Sequence, residues 1–260
     1  MSTLPESSIT NLLRPYLPDV PPDLPPKLSV YLDLLLKWNA RTNLTAIRDP
    51  EQIVQRHFGE SLFVAQHLPS ATHTLLDFGS GAGRVTRWLR ATFPLAALDT
   101  CDLREQDLRF CQDAFQARTW VSGTSIEDLQ APNKYDLIWL GSVATHLSSE
   151  GTERLLLKML SWVNPRGLVV MSLHGRYALQ RQGSGHFRYI DDSGWERIKA
   201  GYETAGYGYS DYEGQKGYGI SLTKPSWIAS LVERLPSARM ITFSERAWDD
   251  HHDVIAIQSI

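Results

Sequence analysis

Cysteine is scarce in this sequence: Cys101 and Cys111 are the only two in 260 residues, and they have no C-x-x-C spacing. A redox pair or disulfide framework is thereby disfavoured, and two reduced, partly buried thiols are expected. Long apolar runs are also missing, none approaching the roughly 20 residues that a membrane helix needs. Met1 to Thr10 lacks the basic-then-apolar layout of a signal peptide, so a cytoplasmic protein with no membrane partner is expected. Nor is there a surplus of positive charge: 26 Lys plus Arg stand against 29 Asp plus Glu, a net of −3. Without a global basic field to collect a polyanion, DNA is not expected as a partner. What remains, 42% apolar and 21% charged residues, is the composition of an ordinary folded domain.

Six prolines between Pro15 and Pro26 predict an extended N-terminal arm, because each fixes φ and removes a backbone donor. Helical spacing follows from Leu28 to Trp38 and again from Pro50 to about His67, the second stretch capped by Asp49. Residues 1–70 therefore read as a proline-rich arm and helical cap, and 71–260 as a second domain. Within that domain, Thr74–Phe78, Leu95–Leu98, Thr119–Val121, Tyr135–Leu140 and Leu168–Leu173 are short apolar runs separated by helix-length segments. Such alternation predicts an α/β fold with a parallel sheet. The rhythm breaks over residues 175–225, read as an insertion or lid after the fifth strand. Residues 183–219 alone hold nine of the 18 glycines and six of the 10 tyrosines. A last helix over 226–235 and a closing strand pair, Met240–Phe243 and Val254–Gln258, complete the pattern.

The main chemical signal is Asp77-Phe78-Gly79-Ser80-Gly81-Ala82-Gly83, an apolar strand entering a glycine turn ahead of a helix. Gly79, Gly81 and Gly83 allow positive φ and close backbone approach of a ligand. The next position is Arg84 where a dinucleotide fingerprint has glycine, and Asp77 would repel a pyrophosphate but suit an ammonium group. S-adenosylmethionine is a cofactor of that kind. Asp102, with Asp99 as its competitor, is expected to accept both ribose hydroxyls at the end of the second strand, with Leu103 beside it. Ser125 could face the adenine edge, Ile126 could cover its ring, and Gly141 would close the site after the fourth strand. Each contact lies at a strand's carboxyl end, the rim on which open α/β sheets bind ligands.

On these motifs residues 74–174 resemble a class I S-adenosylmethionine-dependent methyltransferase core. The resemblance implies a Rossmann-like seven-stranded sheet of order 3-2-1-4-5-7-6, its last inserted strand antiparallel. A second resemblance lies upstream: Leu34-Leu35-Leu36-Lys37-Trp38-Asn39, Asn43-Leu44-Thr45-Ala46-Ile47 and Arg56-His57-Phe58 are similar to the helical N-terminal part of the bacterial 16S ribosomal RNA 7-methylguanosine methyltransferase family (glucose-inhibited division protein B), a similarity that stops near Gly83.

The expected activity is methyl transfer from S-adenosylmethionine to an unidentified acceptor, a small molecule ahead of RNA. Residues 183–219 carry four basic and six acidic groups, 4 − 6 = −2, which disfavours an RNA clamp. The alternatives are a 16S ribosomal RNA guanine-N7 methyltransferase and a non-catalytic S-adenosylmethionine-binding scaffold. His146 and His174 are the candidate catalytic residues. With Trp248 and His251 they are expected to gather around the transferable methyl under a tyrosine-rich roof. No metal site is expected, since no short ligand spacing supports one.

Overall fold

The computed structural model describes residues 3–42, 45, 47–65 and 73–260. The expected domain boundary at residues 70 and 71 lies outside them, as do Asn43, Leu44 and Ala46 of the upstream motif. The chain forms two compact units, Met1–His67 with Trp248–Asp250, and Leu68–Ala247 with His251–Ile260.

The first unit is helical. It contains α1 (Glu6–Leu13), α2 (Leu24–Thr42), and a run made of α3 (Pro50–Gln52), a π-helical stretch Ile53–Gly59 and α4 (Glu60–Ala65). The proline-rich stretch lies outside any helix or strand from residue 14 to residue 23, as its composition suggests, but its last two prolines enter a helix. Pro25 and Pro26 sit in the first turn of α2, where a missing N–H leaves no intrahelical bond unmade. Asp49 caps α3 by accepting the Gln52 N–H at 2.8 Å. Ile9, Leu13, Leu28, Leu32, Ile53 and Phe58 form the buried face, and Tyr31 meets Phe58 edge-on at 5.4 Å.

Glu60 is buried in this unit at 5% exposure. Burial pushes its carboxyl up to about 9, against the lowering effects of the Asp249 backbone and Arg56. The folded protein therefore holds a proton there that the unfolded chain releases near pH 4.5. The stability this group contributes is complete below that value and is lost as pH rises toward 9, with a slope of up to about 1.4 kcal/mol per pH unit. Glu60→Gln should raise the melting temperature at pH 8 and leave it nearly unchanged at pH 5. Thermal denaturation at the two pH values checks the sign.

The second unit is built on a sheet of order β3-β2-β1-β4-β5-β9-β8. Its strands are β1 (Thr74–Phe78), β2 (Ala97–Asp102), β3 (Arg118–Val121), β4 (Tyr135–Leu140), β5 (Val163–His174), β8 (Ala238–Trp248) and β9 (His252–Ser259), with β6 (Tyr207–Tyr212) and β7 (Gln215–Thr223) forming a separate hairpin. The first five pair in parallel, and β9 runs antiparallel to β5. With the hairpin set aside this is the expected 3-2-1-4-5-7-6 order. Strands β1 and β4 are buried along nearly their whole length, as strands covered on both faces must be. Helices α5 (Thr86–Thr92), α6 (Glu105–Phe115) and α7 (Ser149–Trp162) connect the parallel strands, and α10 (Pro225–Glu233) precedes β8. Leu76, Ile138, Leu140, Leu156, Met159 and Met171 belong to the main core.

The second strand starts two residues later than its apolar pattern indicates. Leu95 is 98% exposed, and β2 instead buries the polar Asp99. Asp99 accepts from Arg118 Nε at 2.6 Å, Asn133 Nδ2 at 2.9 Å and the Tyr135 hydroxyl at 2.7 Å. A fully partnered buried carboxylate holds the strands together without appearing in a hydrophobic pattern.

The insertion is structured, with α8 (Arg176–Gly183) and α9 (Asp192–Ala205) preceding the hairpin. Ala178, Trp195, Ile198, Tyr202, Ile220 and Leu222 give it a small core. Here α9 packs directly on β6, and a Cβ on Gly208 would lie 1.8 Å from the Ile198 carbonyl oxygen. Because the obstacle is backbone, Gly208→Ala should cost about 3 kcal/mol or more, the upper part of the overpacking range. Chemical denaturation would show it as a lowered midpoint with an unchanged slope.

Candidate active site

A cavity of about 810 Å³ opens at the carboxyl ends of β1, β2 and β4, and the tip of the β6–β7 hairpin contributes Gln215, Lys216, Gly217 and Tyr218 to its wall. Gly79, Gly81, Asp102, Leu103, Ile126, Gly141 and His146 all line it. The turn after β1 is fixed by backbone bonds: the Gly79 and Ser80 amides donate to the Cys101 carbonyl at 2.9 and 3.1 Å. Gly81 has a φ of +51°, and a Cβ there would point into open space, so the turn presents bare backbone. Asp102 stands opposite, its Oδ2 accepting the Gly81 N–H at 2.8 Å and its Oδ1 the Arg104 N–H at 3.1 Å. Each carboxylate oxygen keeps a further lone pair for an incoming hydroxyl.

Four sequence-predicted residues lie elsewhere. Asp77 is buried and turned toward α5, its Oδ2 accepting from the Thr86 hydroxyl at 2.5 Å, and burial raises its carboxyl to about 6. Its carboxylate is tied to the start of α5 and is not part of the cavity wall. Gly83 stands behind the turn. With φ at +78°, its missing Cβ leaves room for the Phe115 ring, 2.5 Å from where a Cβ would be. The Ser125 hydroxyl bonds Glu127 at 3.0 Å and is not part of the cavity wall. His174 is likewise absent from the wall, 3% exposed, with its Nε2 3.1 Å from His252 Nε2. Burial, with the nearby His251 adding to the effect, drives its pKa down to about 3. The expected four-residue cluster is thus divided. His174 stacks on His251 at 5.6 Å, His146 faces the cavity, and Trp248 groups with the helical unit.

His146 follows β4 in a 3-10 turn, Ala144–His146. Its Nδ1 lies 2.8 Å from the Gly219 carbonyl, which can only accept. The ring proton is therefore on Nδ1, and Nε2 carries a lone pair. Burial holds its pKa below the usual imidazole value. Tyr218 stacks on the ring at 4.9 Å and 24°, and Tyr212 packs beside it at 6.1 Å. The sequence indicates an aromatic roof but not this pairing, because residues 146 and 218 meet only through the hairpin. At Ser142 the backbone takes a left-handed φ of 59°, and its N–H donates to Ser172 Oγ at 2.8 Å. A strained non-glycine residue on a cavity wall is a common mark of a working site.

These residues fit S-adenosylmethionine. The cavity has the size of a small-ligand site. Asp102 offers acceptors to a ribose diol, Leu103 and Ile126 offer apolar surface to a purine, and the bare turn at Gly81 admits close approach.

The family model for rRNA small subunit methyltransferase G (GidB) matches residues 25–162, just over half of the chain. The chain belongs to the GidB family. The match extends well past Gly83, through β4 and α7, so the N-terminal similarity does not stop at the glycine loop. Among curated relatives, ribosomal RNA small subunit methyltransferase G of Methylobacillus flagellatus is 43% identical over 37% of this chain and 46% of its own. The Xanthomonas euvesicatoria protein of the same name is 31% identical over 49% of this chain and 66% of its own. The chain thus spans less than two thirds of the relatives' length. In fold, it resembles an S-adenosylmethionine-dependent methyltransferase from Clostridium acetobutylicum, with a TM-score of 0.54 at 11% identity over 88% of this chain and 99% of that one. The matches correct the expected small-molecule acceptor: the GidB relatives are named for ribosomal RNA. That expectation leaned on the summed charge of residues 183–219, whereas RNA meets individual groups, and Lys216 of that segment stands on the cavity wall.

Proposed function

We propose that the protein is a cytoplasmic S-adenosylmethionine-dependent methyltransferase of 16S ribosomal RNA, acting on a guanine N7. The observation that carries this reading is a single cavity wall joining a nucleoside-binding half, Gly81 and Asp102, to an acceptor half, His146 and Tyr218, in a chain of the GidB family. Asp102 would hold the ribose, Leu103 and Ile126 the adenine, and the Arg84 guanidinium the carboxylate of the amino-acid tail. When bound, S-adenosylmethionine supplies a methyl group on an already activated sulfonium. Guanine N7 has its own lone pair, so the chain's task is alignment and exclusion of water, and no base is required. Tyr218 offers a face for a base to stack on, and the His146 Nε2 lone pair can accept from an N–H on the guanine edge. Lys216 supplies local positive charge for phosphate.

The test is transfer of labelled methyl into RNA, using 16S rRNA and intact small subunits as acceptors, with the modified nucleoside resolved by mass. Label in 7-methylguanosine at one site is the expected result. Label confined to protein or metabolites would overturn the reading, and cofactor binding without transfer to any RNA would favour a scaffold.

A further inference from the structure

We propose that His174, His251 and His252 form a binding site for a divalent transition metal of the zinc type. His174 ends β5, His251 closes the turn before β9 and His252 starts β9, strands that pair antiparallel with His174 directly opposite His252. One ring nitrogen from each converges, all within 4.8 Å of one another, and the His174 and His252 Nε2 atoms are 3.1 Å apart. Tetrahedral zinc at 2.0 to 2.1 Å from its nitrogens separates them by about 3.3 Å. The closest pair already has nearly this spacing, and the widest needs to close by at most about 1.5 Å.

The surroundings suit a metal better than a packed core. His174 and His252 are each 3% exposed, in a position where aliphatic side chains would cost less to bury. His251 stacks on His174 and meets His252 edge-on at 4.2 Å, so three imidazoles crowd one point. An all-imidazole set favours zinc, cobalt, nickel or copper and disfavours calcium and magnesium, which take oxygen ligands. Three protein ligands also leave a fourth position for water or an oxygen donor.

The sequence hides this site because only two of its members are adjacent and the third lies 77 residues earlier. None of the three histidines is in the cavity lining, so the metal site can fail while the methyltransferase reading stands.

The test uses the full chain stripped with a chelator and titrated with Zn²⁺ by calorimetry, and with Co²⁺ while visible absorption is followed. One equivalent of Zn²⁺ and the intense d–d bands of four-coordinate Co²⁺ are expected, with affinity falling on acidification as protons compete. Because His251 is only half-buried, His251→Ala should fold even if His174→Ala does not. It should lose more than the roughly 10- to 100-fold that outer-shell partners contribute, while S-adenosylhomocysteine binding persists. Less than one equivalent of Zn²⁺ in the wild type, or equal Zn²⁺ affinity in folded His251→Ala, would overturn the site.

Discussion

Asp102→Ala should weaken S-adenosylhomocysteine binding by about 10- to 150-fold, the equivalent of 1.5 to 3 kcal/mol for hydrogen bonds to a charged acceptor. The carboxylate has two tasks that the substitution removes together. It accepts the Gly81 and Arg104 amides at 2.8 and 3.1 Å, which sets the glycine turn against the end of β2. On the cavity side it offers lone pairs to a ribose diol. Asp102→Asn keeps one acceptor and should fall between the two, whereas Asp99→Asn should lower stability and leave the folded protein's affinity alone, because Asp99 is spent on Arg118, Asn133 and Tyr135. Calorimetry on folded variants separates the cases. Unchanged affinity in Asp102→Ala, or NAD binding as tightly as S-adenosylhomocysteine, would contradict the cofactor assignment.

The contrast between Asp102 and Asp99 shows how far the sequence could be read. The strands and the glycine turn are legible because they depend on local patterns, apolar runs of strand length and then glycines where a helix begins, whereas the strand order follows only from the family resemblance. The use of Asp77 was not legible, because its position beside the turn is compatible with either a ligand or the Thr86 hydroxyl, and only the direction of the side chain decides between them. The end of the proline-rich segment misled for a related reason. Proline forbids the interior of a helix but not its first turn, and the sequence does not say which of those positions Pro25 and Pro26 occupy. His174 was placed correctly at the end of a strand, but its side chain faces the β9 histidine across the sheet ladder. Pairing between residues 78 positions apart is a property of the folded sheet.

Tyr218→Ala should raise the RNA KM or Kd by about 5- to 150-fold, the 1 to 3 kcal/mol associated with loss of one base–aromatic stack, with cofactor affinity unchanged. The ring is 46% exposed, lines the cavity and stacks on His146, a placement that the RNA reading assigns to a platform for a base. Tyr218→Phe should restore binding, because stacking needs the ring and not the hydroxyl. His146→Ala removes both the support for that ring and the Nε2 acceptor, and should therefore cost more than Tyr218→Ala in kcat/KM. It should not abolish turnover, since guanine N7 loses no proton during attack. The pH profile separates the two roles. Burial keeps His146 neutral by lowering its pKa, so kcat/KM should stay flat as pH rises above the usual imidazole range, and fall only on acidification beneath it. A rate that climbs with pH through neutrality would instead identify an acceptor that must be deprotonated, and would exclude guanine N7 as the methylated atom.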